Sequence, residues 1–172
     1  RAIQGYETST YKRYSGIIKN FIEDTGYYDY FIIDNNGDVV YTQLKEADFN
    51  TNLINGPYND SGLAKVFKNA RSEETAVISD FSPYAPSNGE QAAFIGAPII
   101  DNGDIKGVVA LQLNLTPILN VISDRSGLGK TGETYIAGLK KEVISFRSNM
   151  ETMGDRKYVT GYELSKKKKK KV

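Results

Sequence analysis

The chain of 172 residues contains no histidine and no cysteine, which excludes Ser-His-Asp and Cys-His nucleophile pairs, thiolate or imidazole zinc sites and histidine-held haem. With 40% hydrophobic and 25% charged residues it has the composition of a folded protein, long enough for one domain or for one domain and part of a second. Its net charge of +1 becomes −5 once the six lysines of Lys166–Lys171 are set aside, so the remainder is mildly acidic and offers no electrostatic footprint for nucleic acid.

In chain order, Tyr11, Tyr14, Ile17, Ile18, Phe21 and Ile22 recur at three- and four-residue spacing and predict a helix over Ser9–Asp24, closed by Gly26 as a C-terminal cap. Tyr28–Asp34 and Asp38–Gln43 form a strand pair around Asn35-Asn36-Gly37, a strong hairpin signal. Leu44–Ser61 is polar and rich in turn residues. Gly62–Ala70 suits a short helix with Leu63, Val66 and Phe67 on one side and Asp60 or Ser61 as its N-cap. A third strand is expected over Ala76–Ser82, a turn over Pro83–Gly89, and two more strands over Ala92–Ile100 and Ile105–Asn114, joined at Asp101-Asn102-Gly103.

Leu115–Asp124 carries Leu115, Ile118, Leu119 and Ile122 on one helical face. Glu133–Ala137 and Glu142–Phe146 read as strands opening a further sheet, and Tyr158–Leu164 as a last strand. The longest apolar patches, Phe94–Ile100 and Val108–Leu115, fall far short of the roughly 20 residues of a bilayer-crossing helix. The chain opens at Arg1 without a methionine and is expected to be a piece of a longer protein, with the lysine run as a solvated tail. The whole predicts an α+β fold: a central antiparallel sheet of about five strands, an N-terminal helix, a looped layer on one face, and a partial second sheet.

Gly127, Gly129 and Gly132 match GxGxxG, but a dinucleotide site needs a strand before and a helix after, and here the order is reversed. A connector is the expected role. The aspartates at the hairpin turns are expected to cap backbone groups, and Asn35-Asn36-Gly37-Asp38 lacks the glutamate of a calcium loop. Asp80 stands apart as an acid placed inside a strand beside Ser82 and Tyr84. Tyrosines number 12, against no tryptophan, and Tyr28, Tyr30, Tyr41, Tyr58 and Tyr84 offer rigid walls with one hydrogen-bonding tip each. In the last strand of the sheet Ala110, Gln112 and Asn114 share a face, and Gln112 needs a partner for its amide. Beside it Phe94, Gly96 and Pro98 alternate with Ala93, Ile95 and Ala97, and these small residues are expected to leave room above the sheet.

The segments YYDYFIIDNNGDVVYT, KEADFNTNL, GPYNDSGLAKVF, DFSPYAPSNG, AAFIGAPI, GVVALQLNL and GLGKTGETYI, taken together, resemble the extracytoplasmic Cache (PAS-like, PDC) sensor domains of bacterial chemoreceptors and related transmembrane sensors. The resemblance runs from Tyr11 to Gly138. It implies the end of a long helix over residues 1–26, a PAS-like ligand-sensing domain over 27–126, a partial second PAS-like module over 127–165, and a lysine-rich tail over 166–172. It also implies an extracytoplasmic location, anchoring in the membrane by the full-length protein, homodimer formation, a small-molecule ligand, and no catalysis, cofactor or metal.

In amino-acid-binding members of the family, a strand aspartate that grips the ligand ammonium lies where this chain has Gln112. The aromatic and arginine motif that clamps the ligand carboxylate has no counterpart in Gly62–Arg71. These departures argue for a neutral or anionic ligand. Tyr58, Asp80, Ser82, Tyr84, Phe94 and Gln112 are the expected ligand-binding residues, with Lys45 as charge partner for an anion. The alternative is a ligand-free structural or dimerisation module working through the first helix.

Overall fold

A computed structural model describes residues 9–140, 143–150 and 163–164. The chain divides into two compact units, Arg1–Asn114 and Leu115–Val172.

In the first unit, α1 (Ser9–Thr25) ends at Gly26, whose φ of +77° carries the chain out of the helix and whose N–H donates to the Ile22 carbonyl. Strand β1 (Asp29–Asp34) turns at Asn35–Gly37 into β2 (Val39–Thr42). A long loop then runs back beside β2: Val39 donates to Thr51, Asn50 donates to Val39, and Asp38 bridges Asn52. Helix α2 (Gly62–Glu73) starts at Ser61, whose hydroxyl accepts from the Ala64 N–H, and ends at Glu74 in the left-handed region. Strand β3 is short (Val77–Ile78); β4 (Ser82–Tyr84), a 3-10 turn (Ala85–Ser87) and β5 (Glu90–Ala92) form a separate hairpin. The long pair β6 (Phe94–Asp101) and β7 (Asp104–Gln112) completes the unit.

The central sheet has five antiparallel strands in the order β2-β1-β7-β6-β3, the α+β architecture expected from the sequence. One correction concerns the third strand, expected to run from Ala76 to Ser82. Only Val77 and Ile78 pair with β6; the ladder stops once the Ser79 N–H has reached the Phe94 carbonyl. The Phe81 N–H then turns to the side chain of Asp80 at 2.7 Å, and the chain leaves the sheet. Ser82 pairs instead with Ala92.

The core lies between α2 and one face of the sheet. Leu63, Val66, Phe67 and Ala70 meet Phe31, Ile33, Val39, Val108 and Ala110, all buried. The room expected above the small residues of β6 belongs to this helix: a Cβ on Gly96 would stand 2.4 Å from Val66 Cγ1.

In the second unit, α3 (Thr116–Ser123) precedes a turn region, then β8 (Ala137–Lys140), β9 (Val143–Phe146) and β10 (Glu163–Leu164) in the order β10-β9-β8. The strand expected over Glu133–Ala137 begins only at Ala137, and most of Tyr158–Leu164 and all of Lys166–Lys171 lie outside the described residues. The glycine motif is a connector: Leu128 donates to Arg125, Gly132 donates to Leu128, and the Arg125 guanidinium closes the loop on the carbonyls of Lys130 and Gly132. Among the described residues no helix is long and apolar enough to cross a membrane.

Candidate functional site

The registers of the sheet place its core-facing residues in three rows. Two are apolar apart from Thr42: Val39, Ile33, Val108 and Pro98, then Thr42, Phe31, Ala110 and Gly96. The third holds Asp29, Gln112 and Phe94. Helix α2 covers the apolar rows, while at the polar end of the third Asp29 meets backbone N–H groups of Gln43 and Leu44 and Gln112 meets Ser87 between β4 and β5.

Asp29 is fully buried and its hydrogen bonds are filled by the protein. Oδ1 accepts from the backbone N–H groups of Tyr30 (2.7 Å), Gln43 (3.0 Å) and Leu44 (3.2 Å), and Oδ2 from the Thr42 hydroxyl (2.5 Å). It ties β1 to the chain leaving β2. Burial pushes its carboxyl up to about 6, against the pull of those four donors.

Glu46 and Asp48 come from the loop. Glu46 Oε1 accepts from the Tyr28 hydroxyl at 3.0 Å and Oε2 from the Ser87 hydroxyl at 2.8 Å. Ser87 in turn accepts from Gln112 Nε2 at 3.1 Å. Asp48 is fully buried, and its Oδ2 accepts from the Tyr84 hydroxyl at 2.5 Å. Burial raises the Asp48 carboxyl, with the Tyr84 hydroxyl and, more weakly, the backbone N–H groups of Asp48 and Phe49 opposing and the charge of Glu46 adding. Burial also raises the Tyr84 phenol, as do the charges of Asp48, Glu46 and Asp29. Tyr28 is raised by burial and by its bond to Glu46.

Three buried side-chain atoms among the described residues have no hydrogen-bond partner: Asp48 Oδ1, Gln91 Oε1 and Gln112 Oε1. All three are acceptors. No Lys or Arg side chain described in this unit is buried. Its half-buried arginine, Arg71, lines an open groove of about 570 Å³ at the opposite end of the sheet, beside Asn35 and Asp104. Among the described residues no group of three or more acids, histidines or cysteines is arranged to hold a metal ion.

Of the seven residues singled out from the sequence, Tyr84, Phe94 and Gln112 come together. The Tyr84 and Phe94 rings meet edge to face at 4.9 Å, and Phe94 is Gln112's partner across the ladder. Tyr58 is half-buried with its ring 6.4 Å from that of Tyr84. Ser82 is half-buried on β4. Asp80 lies in an exposed linker rather than inside a strand, because the β3 ladder ends before it. Lys45 is exposed, with φ of +52° and its N–H donating to Thr42 Oγ1.

The expectation of a neutral or anionic ligand meets a shell whose charged members are acids. Glu46, Asp48 and Ser87 did not stand out in the sequence. Asp29 was legible, as an acid two residues before Phe31 and four before Ile33 on an otherwise apolar face. Glu46, Asp48 and Ser87 sit in loops without a period that could mark them.

No protein-family model and no curated protein matches the chain. Solved structures do. The ligand-binding domain of the Campylobacter jejuni chemoreceptor Tlp3, in complex with 4-methylisoleucine, is 9% identical with a TM-score of 0.50 over 87% of this chain and 73% of that one. The same domain with L-valine is 13% identical, again at 0.50, over 69% and 47%. The ligand-binding domain of the Pseudomonas fluorescens chemoreceptor CtaA, with L-serine, is 20% identical at 0.49, over 66% and 46%. The chain spans about half the length of several of these domains. Its fold is that of chemoreceptor ligand-binding domains, the fold implied by the resemblance to Cache sensors.

Proposed function

We propose that this chain is the extracytoplasmic small-molecule-sensing part of a bacterial transmembrane receptor of the chemoreceptor type, anchored in the membrane through the full-length protein. The carrying observation is the pair of unpaired acceptors, Gln112 Oε1 and Asp48 Oδ1, buried at the polar end of a sheet whose fold is that of ligand-binding domains. A buried polar atom without a partner costs roughly 1–3 kcal/mol, and a bound molecule that donates to it recovers that cost. Residues 27–126 form the sensing module in this reading, and 127–165 part of a second. No catalysis is assigned: Asp29 and Glu46 are held by donors of the protein itself.

The site adjoins α1 closely enough to be read there. The Tyr28 N–H donates to the Gln112 carbonyl and its hydroxyl to Glu46, while the Tyr27 ring stacks on Phe21 of α1 at 6.0 Å. A ligand moves that helix only through different affinities for two arrangements of it. The direct test is a thermal-shift screen of carboxylic acids, amines, purines and sugars. A ligand at 100 times its dissociation constant adds about 2.7 kcal/mol, visible as a higher melting temperature. A flat screen on well-folded protein would refute the sensor reading.

A second reading has its own observation. Tyr14, Ile17 and Phe21 form a stripe along α1, exposed by 52%, 59% and 40%. A dimerisation module would use that stripe. Sedimentation showing a concentration-dependent dimer that Ile17→Glu abolishes, with no ligand response, would favour it.

A further inference from the structure

The sensor reading leaves open what the site binds, and the inference drawn here rests on that reading. We infer that the occupant of the shell around Gln112 and Asp48 is a small organic cation without a carboxylate, a primary amine or an amidinium. Every unpaired buried atom in this region is an acceptor, so the occupant must donate. Gln112 is 3% exposed and Asp48 fully buried, so bulk water does not reach them freely.

Three carboxylates share this neighbourhood: Asp48 bonds Tyr84 and Glu46 bonds Ser87 of the same hairpin, and Asp29 bonds the backbone of Gln43 and Leu44 that leads into their loop. Among the described residues of this unit no lysine or arginine is buried to balance them. Desolvated like charges repel, and a cation lowers that repulsion while making charge-assisted hydrogen bonds of about twice the neutral strength. The tyrosines add ring faces of the kind that attract cations: Tyr84 is packed at the centre, and Tyr58 leans on it half-buried. A ligand carboxylate, by contrast, meets no buried basic side chain among the described residues of this unit, Lys45 of the loop being exposed, and adds another acid to a shell already acidic. An amino acid is therefore disfavoured against the amine that lacks its carboxylate.

The experiment is calorimetric titration of the full chain at pH 7 with n-butylamine, benzylamine and benzamidine up to about 10 mM. Each is matched by its alcohol or amide, its carboxylate and the corresponding amino acid. At least one of the three cations is expected to bind, with its uncharged and carboxylate analogues at least about tenfold weaker. Asp48→Asn, which keeps the shape and removes the charge, is expected to weaken the cation by about tenfold or more. Gln112→Leu is expected to do the same, with circular dichroism confirming that both variants fold.

Binding of acids, sugars or amino acids in place of the cations would overturn this inference and leave the sensor reading standing. Cation binding that neither variant weakens would overturn the placement at Gln112 and Asp48. No heat from any of the cations would overturn the inference outright, and a flat response to every class in the wider screen would take the sensor reading with it.

Discussion

Asp29→Asn separates the two forces acting on the buried acid at the start of β1. Burial raises its carboxyl from 3.8 to about 6, while three backbone N–H groups and the Thr42 hydroxyl hold it down. If burial wins, the folded protein holds a proton on Asp29 between pH 4 and 6 that the unfolded chain has released. Unfolding stability then falls as pH rises, because the native state binds more protons than the unfolded state across that window. The contribution is fully present below the unfolded value and is lost as pH passes the folded one. A displacement of about two units corresponds to about 3 kcal/mol. Asparagine keeps the acceptor that serves Tyr30, Gln43 and Leu44 and cannot titrate. The stability of the native chain minus that of Asp29→Asn should therefore fall by about 2.4 kcal/mol between pH 4 and pH 7.5, the rest of the roughly 3 kcal/mol lying below pH 4. Urea unfolding followed by circular dichroism measures it, and a carbon-13 titration of the Asp29 carboxyl should show a midpoint near 6. A difference that rises with pH would refute the reasoning, since it would mean that the four donors outweigh burial and the acid is held ionised.

Tyr84→Phe removes the hydroxyl donor of Asp48 and should cost about 2 kcal/mol at pH 7.5, less at pH 4.5 where the carboxyl can take up a proton; urea unfolding at the two pH values checks it. Gly96→Ala drives a Cβ to 2.4 Å from Val66 Cγ1 and should cost about 1–3 kcal/mol through overpacking, with partial rescue by Val66→Ala in a double-mutant cycle. Ser61→Ala removes the N-cap of α2 and should cost about 1 kcal/mol, read as a melting point lower by several degrees.

The parts of the fold legible in the sequence are those with a period or a turn signal. The alternation of Phe31 and Ile33, of Val108, Ala110 and Gln112, and the glycines closing the Asn35–Gly37 and Asn102–Gly103 turns together specify β1, β2, β6 and β7. The α2 stripe of Leu63, Val66 and Phe67 does the same for the helix over the sheet. The break after Ile78 was hidden because Ser79–Phe81 carries no glycine or proline; the Ser79 hydroxyl accepts from the Phe94 N–H and the Asp80 side chain from the Phe81 N–H where the ladder ends. The small residues of β6 were legible as space; that Val66 fills it depends on where α2 docks. Of the candidate site, Gln112 was visible as a polar residue on a buried face. Glu46, Asp48 and Ser87 were not, because each lies in a loop and gains its meaning from a partner 18 to 41 residues away.

The same bonds that define the shell also seat the β4–β5 hairpin. That hairpin pairs with itself and with no strand of the central sheet. Tyr84 to Asp48, Ser87 to Glu46 and Gln112 to Ser87 are the side-chain hydrogen bonds that join it to the loop and to β7. Each runs through an atom or a carboxylate that an occupant would also use. Ser87 and Tyr84 hold hydroxyls that rotate, so they can re-aim at small cost when a stronger donor takes their acceptor. On the sensor reading, filling the shell would change what holds the hairpin, and through Glu46 it would change the side-chain bond that fixes Tyr28. Backbone hydrogen bonds alone could not supply this coupling, since a ladder satisfied within itself responds to nothing placed beside it. A network that is incomplete without an occupant can respond, because the native state still carries free energy for the missing donor to recover.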